Sequence, residues 1–409
     1  MLDQAADPAE LRPFLLGLAE GMTAAGESVD AIYLRLERTA VAYGSTDTEF
    51  VVLPTVVLVQ TGGVAGGRVG IRSREIVPYH FHQIAALYKL ISRAQRAEVE
   101  PRDGLAELAV IRSMKPRFGW IVRTLGHAVL TVGLSLLLVP SWQGAAVAFA
   151  LGIVIGLAKL ARSTSLQLVL PTVSAFVCAA VVFTLARFVG FDDPLRLLIA
   201  PLATFLPGAA LTTATVELAS HQMIAGASRL VTGLVELALL ACGILAAGAI
   251  VGYVDGGPVS ARPEYLWWTA SLGVVLFAVG IYFYLSVPTA TFGWVVLALF
   301  VAFAAQSIGS TMAGPAFSGF IGAVVVAPVV LLIATLPRGA PSQLTFLPAF
   351  WLLVPGASGL IGLTEAAAVD AGVRDFTLAL TTVLSIALGV LIGTALFRAV
   401  AEAVGVARK

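Results

Sequence analysis

Charge is what this sequence has least of. Charged residues make up 12% of 409, against 58% hydrophobic residues, and mean hydropathy is +0.94. A soluble domain usually carries about 25% charged residues. A chain this apolar cannot cover itself with polar surface, so lipid is expected to be its solvent. The net charge of +1 supplies no field for nucleic acid or for an acidic partner. The only two cysteines, Cys178 and Cys242, both lie inside apolar runs and read as small packing residues, with neither a disulfide nor a metal site expected. His80 and His82 have no cysteine or carboxylate pattern around them and make a weak metal signal. No cofactor is expected. The glycine-rich stretch Gly62–Gly70 lacks the Gly-Lys-Ser/Thr that would hold phosphates. The N-terminus, MLDQAADPAE, lacks the basic and apolar regions of a signal peptide, so the first region is expected to stay cytoplasmic.

Charge density divides the chain. Residues 1–116 carry most of the charge and read as a small α+β domain. Apolar helical periodicity covers Leu11–Ala25 and Ser28–Tyr43; Phe50–Gln60 and Arg68–Arg72 read as a hairpin; Gln83–Val99 and Gly104–Met114 read as further helices.

From Phe118 onward, apolar segments long enough for a bilayer core of about 30 Å follow one another. Ten are expected. The first five, within residues 117–252, are Phe118–Val139, Gln143–Leu160, Leu166–Phe188, Leu195–Val216 and Ser228–Gly252. The second five, within residues 253–409, are Leu266–Ser286, Ala290–Ile308, Pro315–Leu336, Gln343–Leu363 and Phe376–Val400. With the N-terminus inside, nine basic residues fall at inner ends, Arg117, Arg123, Lys159 and Arg229 among them. Four fall at outer ends: Arg187, Arg196, Arg262 and Arg374. The excess places both termini in the cytoplasm.

One pattern occurs twice. Residues 205–217 read FLPGAALTTATVE and residues 353–365 read LVPGASGLIGLTE. Each has Pro-Gly-Ala with a glutamate ten residues after the proline (Pro207 and Glu217, Pro355 and Glu365), and each falls in the fourth helix of its set. The copies are 148 residues apart. Because five is odd, two five-helix repeats have opposite topology, the inverted plan of many secondary transporters.

A proline within a spanning helix removes a hydrogen bond and opposes the carbonyl four residues earlier. Each fourth helix is therefore expected to break, freeing N–H groups that favour an anion. Pro207, Gly208, Ala209, Thr212, Pro355, Gly356, Ala357 and Ser358 are the candidate substrate-binding residues. Carboxylates within a bilayer mark function, so Glu217, Glu236 and Glu365 are candidates for a coupling proton. His221, four residues beyond Glu217, joins them on one face if the helix continues that far. Arg123 reads as snorkelling to the interface, and His127, four residues on, stays undecided.

The Pro-Gly-Ala segments, the 5+5 layout and the N-terminal module together resemble the threonine/serine exporter family over nearly the whole chain. The resemblance is carried by GMTAAGESVDAIYLRLERTAVAYG and LPGAALTTATVELASHQMIAGASRL. It implies export of threonine and serine driven by the proton gradient across a bacterial cytoplasmic membrane. It implies functional weight at Pro207, Gly208, Glu217, Gly226 and Arg229, and at Pro355 and Gly356. The expected partners are membrane lipid, a small-molecule substrate and protons. A homo-oligomer stays open, because Gly152-x3-Gly156 and Gly248-x3-Gly252 could pack helices within or between chains.

Other readings compete. Gly356-Ala-Ser358-Gly359 resembles the nucleophile motif of rhomboid proteases, but no histidine follows His221 to activate the serine. An enzyme is therefore not expected. A dicarboxylate such as succinate is the alternative substrate, and a non-transporting membrane scaffold the alternative role. A zwitterion suits the residue inventory better, with its carboxylate at a half-helix N-terminus and its ammonium near Glu217 or Glu236.

Overall fold

A computed structural model describes residues 7–62, 67–73, 77–161, 163–189, 191, 193–252, 267–353, 360, 364 and 372–403. It is mostly helical. The chain divides into two compact units: Met1–Arg117 with Thr213–Arg229, and Phe118–Thr212 with Leu230–Lys409.

The first unit contains α1 (Pro8–Ala24), α2 (Val29–Ala42), β1 (Glu49–Val52), β2 (Val56–Thr61), β3 (Arg68–Ser73), α3 (Phe81–Ala94) and α4 (Pro101–Ser113). Asp7 starts α1 by accepting the Ala9 N–H at 2.8 Å, ahead of Pro8 in the first turn, where its missing donor costs nothing. Leu11, Phe14, Leu15, Leu18 and Met22 bury the inner stripe of α1, which packs against α4 and β2. The antiparallel sheet has the order β1-β2-β3. Its middle strand alternates, with Val57, Val59 and Thr61 inward.

The expected two-stranded hairpin is thus a three-stranded sheet. The single strand expected over Phe50–Gln60 turns at Pro54-Thr55, closed by Leu53 N–H on the Val56 carbonyl at 2.8 Å. Proline cannot donate to a ladder, so the β-branched run divides there. The helix expected to reach Val99 stops at Ala94, and Ala97 takes a positive φ of 53° before Pro101 opens α4.

The second unit is built from α5 (Trp120–Leu138), α6 (Trp142–Ala158), α7 (Thr164–Ala186), α8 (Pro194–Leu202), α9 (Gly208–Ala219, whose last turns count with the first unit), α10 (Met223–Val251, whose first turn does likewise), α11 (Trp267–Tyr284), α12 (Thr289–Ala313), α13 (Pro315–Thr335), α14 (Ser342–Leu353) and α15 (Gly372–Ala403). Six of the described helices are long and apolar enough to cross a membrane, and α8 with α9 forms a bent pair that brings the number to seven if the pair counts as one span. Trp142–Ala158, Trp268–Tyr284 and Ser342–Leu353 are shorter apolar helices. The last part of the expected span Gln343–Leu363 lies mostly outside the described residues. This is the architecture of a polytopic membrane protein.

Small residues set the helix contacts. A Cβ on Gly133 of α5 would lie 2.7 Å from the carbonyl oxygen of Gly273 in α11, and one on Gly273 would lie 2.9 Å from that of Gly133. Gly126 likewise meets the Gly280 carbonyl. Later positions in α5 face earlier ones in α11, so the two helices run antiparallel at backbone contact, a closeness only glycine permits. Gly152 and Gly156 of α6 pack within the chain, against Ala128 and Thr124 of α5. In α10 a Cβ on Gly243 would meet the Thr172 carbonyl and, at 3.1 Å, the Ala175 side chain of α7. In α15 a Cβ on Gly389 would meet the Phe320 carbonyl and, at 2.8 Å, the Ala323 side chain of α13.

Candidate functional site

The expected break at the first Pro-Gly-Ala motif is present. α8 ends at Leu202, a 3-10 turn covers Ala203–Phe205, and α9 resumes at Gly208 with its axis turned by 68°. Leu206 N–H reaches only the Ala203 carbonyl, at 3.2 Å, and Pro207 donates nothing.

Freed backbone polarity at membrane depth must be met by protein or water. Here one backbone carbonyl of the break, that of Thr204, is met by Lys159, and the side chain of Thr204 is met by His127. Lys159, just past the end of α6, donates from Nζ to the Thr204 carbonyl at 3.0 Å, and the same ammonium sits 4.1 Å from the centroid of the Phe205 ring. His127 of α5 is fully buried. Its Nδ1 lies 2.9 Å from the Gly152 carbonyl and its Nε2 lies 3.1 Å from the Thr204 hydroxyl. The His127 ring also meets Tyr284 edge to face at 4.9 Å.

Beside this junction lies a cavity of about 300 Å³, lined by polar and charged groups from Arg123, Thr124, Lys159, Gln167 and Tyr284 and by apolar groups that include Phe205. Ligand sites run from roughly 300 to 1,000 Å³, so the space suits a small solute. Sequence reasoning used Lys159 only for orientation and assigned Arg123 to the interface. What it missed is convergence on the break, which no spacing within α5 or α6 reveals.

The sequence-predicted residues are distributed differently. Pro207, Gly208 and Ala209 form the break itself without lining the cavity. Thr212 is buried at 3% exposure, and its hydroxyl has no partner among the described residues. Pro355, Gly356, Ala357, Ser358 and Glu365 lie outside the described residues. Glu236 is exposed near the middle of α10. α9 ends at Ala219 and His221 takes a positive φ of 64°, so the face that Glu217 and His221 would have shared does not form. His221 is exposed in the turn before α10.

Glu217 has other partners, all within the first unit. Its side chain is fully buried. One carboxylate oxygen accepts the Val29 N–H at 3.0 Å, and the other lies 3.1 Å from Nε of Arg229. Arg229 also donates to the Glu27 carbonyl at 3.3 Å. Ser28 precedes α2 without a side-chain cap of its own, so Glu217 supplies the anion that the N-terminus of α2 favours. The carboxylate of Glu27 is buried in turn, accepting from the Tyr88 hydroxyl and facing Arg35 at 3.7 Å.

The apolar helices place this chain among polytopic membrane proteins, with a helix pair bent by 68° at Pro207. A family model described as "Putative threonine/serine exporter" matches residues 13–251, more than half the chain. The chain belongs to the threonine/serine exporter family, a family of membrane transporters. The match runs from Pro13, inside α1, to the end of α10. No curated protein matches the chain, and no solved structure does.

Proposed function

We propose that this chain is a proton-coupled exporter of threonine and serine in a bacterial cytoplasmic membrane, with ten spans arranged as two inverted five-helix repeats and both termini cytoplasmic. The observation that carries the transport reading is the helix broken at Pro207-Gly208 beside a small polar cavity. Discontinuous helices with ligand sites at the break are a recurrent plan in secondary transporters.

The repeat reading is supported by geometry that the sequence motif did not contain. The Thr172 and Ala175 contacts of Gly243 recur at Phe320 and Ala323 against Gly389. Those α7 and α13 positions are 148 residues apart, the same interval that separates Pro207 from Pro355. An in-plane two-fold axis would run the first helix of one repeat antiparallel to the first helix of the other, as α5 and α11 run. Under this reading residues 1–116 form a cytoplasmic domain, residues 117–252 the first repeat and residues 253–409 the second.

Export against a gradient needs a group that exchanges a proton. Glu236, a carboxylate near the midpoint of α10, and Glu217, buried against a single arginine, are assigned that role. The test is uptake of radiolabelled L-threonine into inside-out vesicles, with and without an imposed proton gradient, with serine and succinate as competitors. Gradient-dependent uptake competed by serine is the expected result. Succinate uptake without threonine uptake overturns the substrate, and uptake of neither overturns the transport reading in favour of a membrane scaffold.

A further inference from the structure

We propose that the cavity walled by Arg123, Thr124 and Lys159 is where the chain takes the carboxylate of its substrate. The proposal rests on the transporter reading and adds a binding site to it.

Three observations lead there. First, among the described residues no carboxylate lies within 4.0 Å of Arg123 or Lys159. Among the described residues Arg123 donates to the Tyr284 carbonyl, at 3.5 Å, and Lys159 to the Thr204 carbonyl while sitting over the Phe205 ring. Both keep donors to spare. Second, Thr124 is 5% exposed, lines the cavity, and its hydroxyl has no hydrogen-bond partner among the described residues. A buried polar group without a partner is costly, and a ligand oxygen would supply the acceptor. Third, the rest of the wall mixes apolar Leu160, Leu170, Pro171 and Phe205 with neutral Gln167 and Tyr284, and no acidic residue lines it among the described residues. Two cations and a hydroxyl in such uncharged surroundings suit an anionic group and repel an ammonium.

Position gives the site a mechanical meaning. Lys159 holds the last turn before the break through Thr204, so a carboxylate that draws the ammonium into the cavity competes with that hydrogen bond. Occupancy is then felt at the helix break. The second repeat lacks this chemistry: 148 residues on from Arg123 and Lys159 stand Ser271 and Ser307. Two cations in one cavity also suit a dicarboxylate, the alternative substrate. The carboxylate is shared by both candidate substrates, so the experiment separates them.

The full-length protein in lipid nanodiscs is titrated with L-threonine, with L-threoninol, which lacks the carboxylate, and with succinate. Lys159→Gln removes a charge-assisted contact and is expected to raise the Kd for threonine at least roughly tenfold. Arg123→Gln is expected to act in the same direction, and Thr124→Val more weakly, with Thr124→Ser close to wild type. Threoninol is expected not to compete. Should Lys159→Gln fail to fold, Thr124→Val against Thr124→Ser reads the same site without changing charge. Wild-type binding of succinate but not threonine, lost in Lys159→Gln, supports the site and changes the substrate. Threonine binding that is unchanged in Lys159→Gln, Arg123→Gln and Thr124→Val, or equalled by threoninol, overturns the site alone. A wild-type protein that binds none of the three ligands overturns the site together with the transport reading.

Discussion

Nε of Arg229 lies 3.1 Å from a carboxylate oxygen of Glu217, the one buried carboxylate that also accepts the Val29 N–H, 188 residues away in sequence. The pair secures residues 213–229 to the start of α2 within one compact unit. Glu217 is fully buried, while Arg229 keeps 19% of its side chain exposed. Removing one member of a buried pair strands the other and typically costs about 3–5 kcal/mol. Glu217→Ala and Arg229→Ala are each expected to lower the thermal midpoint of the purified protein, Glu217→Ala more, because it also uncaps α2. The double variant should lose less than the sum of the two. Additive losses would mean that the two side chains do not act as a pair.

The α5–α11 contact gives a paired prediction about glycine. Gly133→Ala forces a methyl against the Gly273 carbonyl, and in a packed interface that strain typically costs about 1–3 kcal/mol. Gly293, inside α12, has nothing within 4 Å of its would-be Cβ. Gly293→Ala is therefore expected to be neutral, or to gain roughly 0.5–1 kcal/mol from helix propensity. Thermal unfolding of the two variants checks the contrast; equal effects would refute backbone contact as the reason for glycine at position 133.

How far the residues alone could lead is visible at the break. Proline chemistry is local, so Pro207 announced a discontinuity that the structure bends by 68°. Hydropathy is likewise cumulative along a segment, and α5, α6, α7, α11 and α13 lie close to their expected limits. What stayed hidden depends on partners far away in sequence. That Glu217 accepts the Val29 N–H could not be read from its own helix, because nothing there points to residue 29. Lys159 read as a topology marker because Thr204 and Phe205, its contacts, are more than forty residues on. The division of the first strand at Pro54 was legible in principle from the missing donor, yet the β-branched run on either side outweighed it.

In the first unit, Tyr43 is buried at 3% exposure and its hydroxyl donates to the Val99 carbonyl. Burial raises the phenol above its ordinary 10.0, a rise that Arg93 partly opposes. A raised folded value means the stability it contributes is present below pH 10 and is lost as pH climbs through the folded value. Tyr43→Phe leaves the Val99 carbonyl unpaired and is expected to cost about 1 kcal/mol at neutral pH, with the difference from wild type shrinking above pH 10. In a spectrophotometric titration, the latest of the phenolate transitions from the eight tyrosines should include the one that Tyr43→Phe removes. Loss of an early transition instead would contradict its burial.

Glu236 tests the coupling assignment most directly. It is exposed near the midpoint of α10 among Val231, Leu234, Val235 and Leu239, themselves exposed by 60%, 48%, 52% and 43%. Ionised in hydrocarbon, such a group costs about 2.5–3.5 kcal/mol on insertion scales, so it is expected to be protonated for part of any transport cycle. Glu236→Gln mimics the protonated state permanently. Threonine binding should survive, because the cavity at Lys159 is built from other residues. Exchange of threonine for threonine across the membrane should survive as well, since it needs no net proton movement. Concentrative, gradient-driven uptake into inside-out vesicles should be lost. If Glu236→Gln still concentrates threonine at the wild-type rate, Glu236 does not carry the proton, and Glu217→Gln becomes the variant whose pH profile must change.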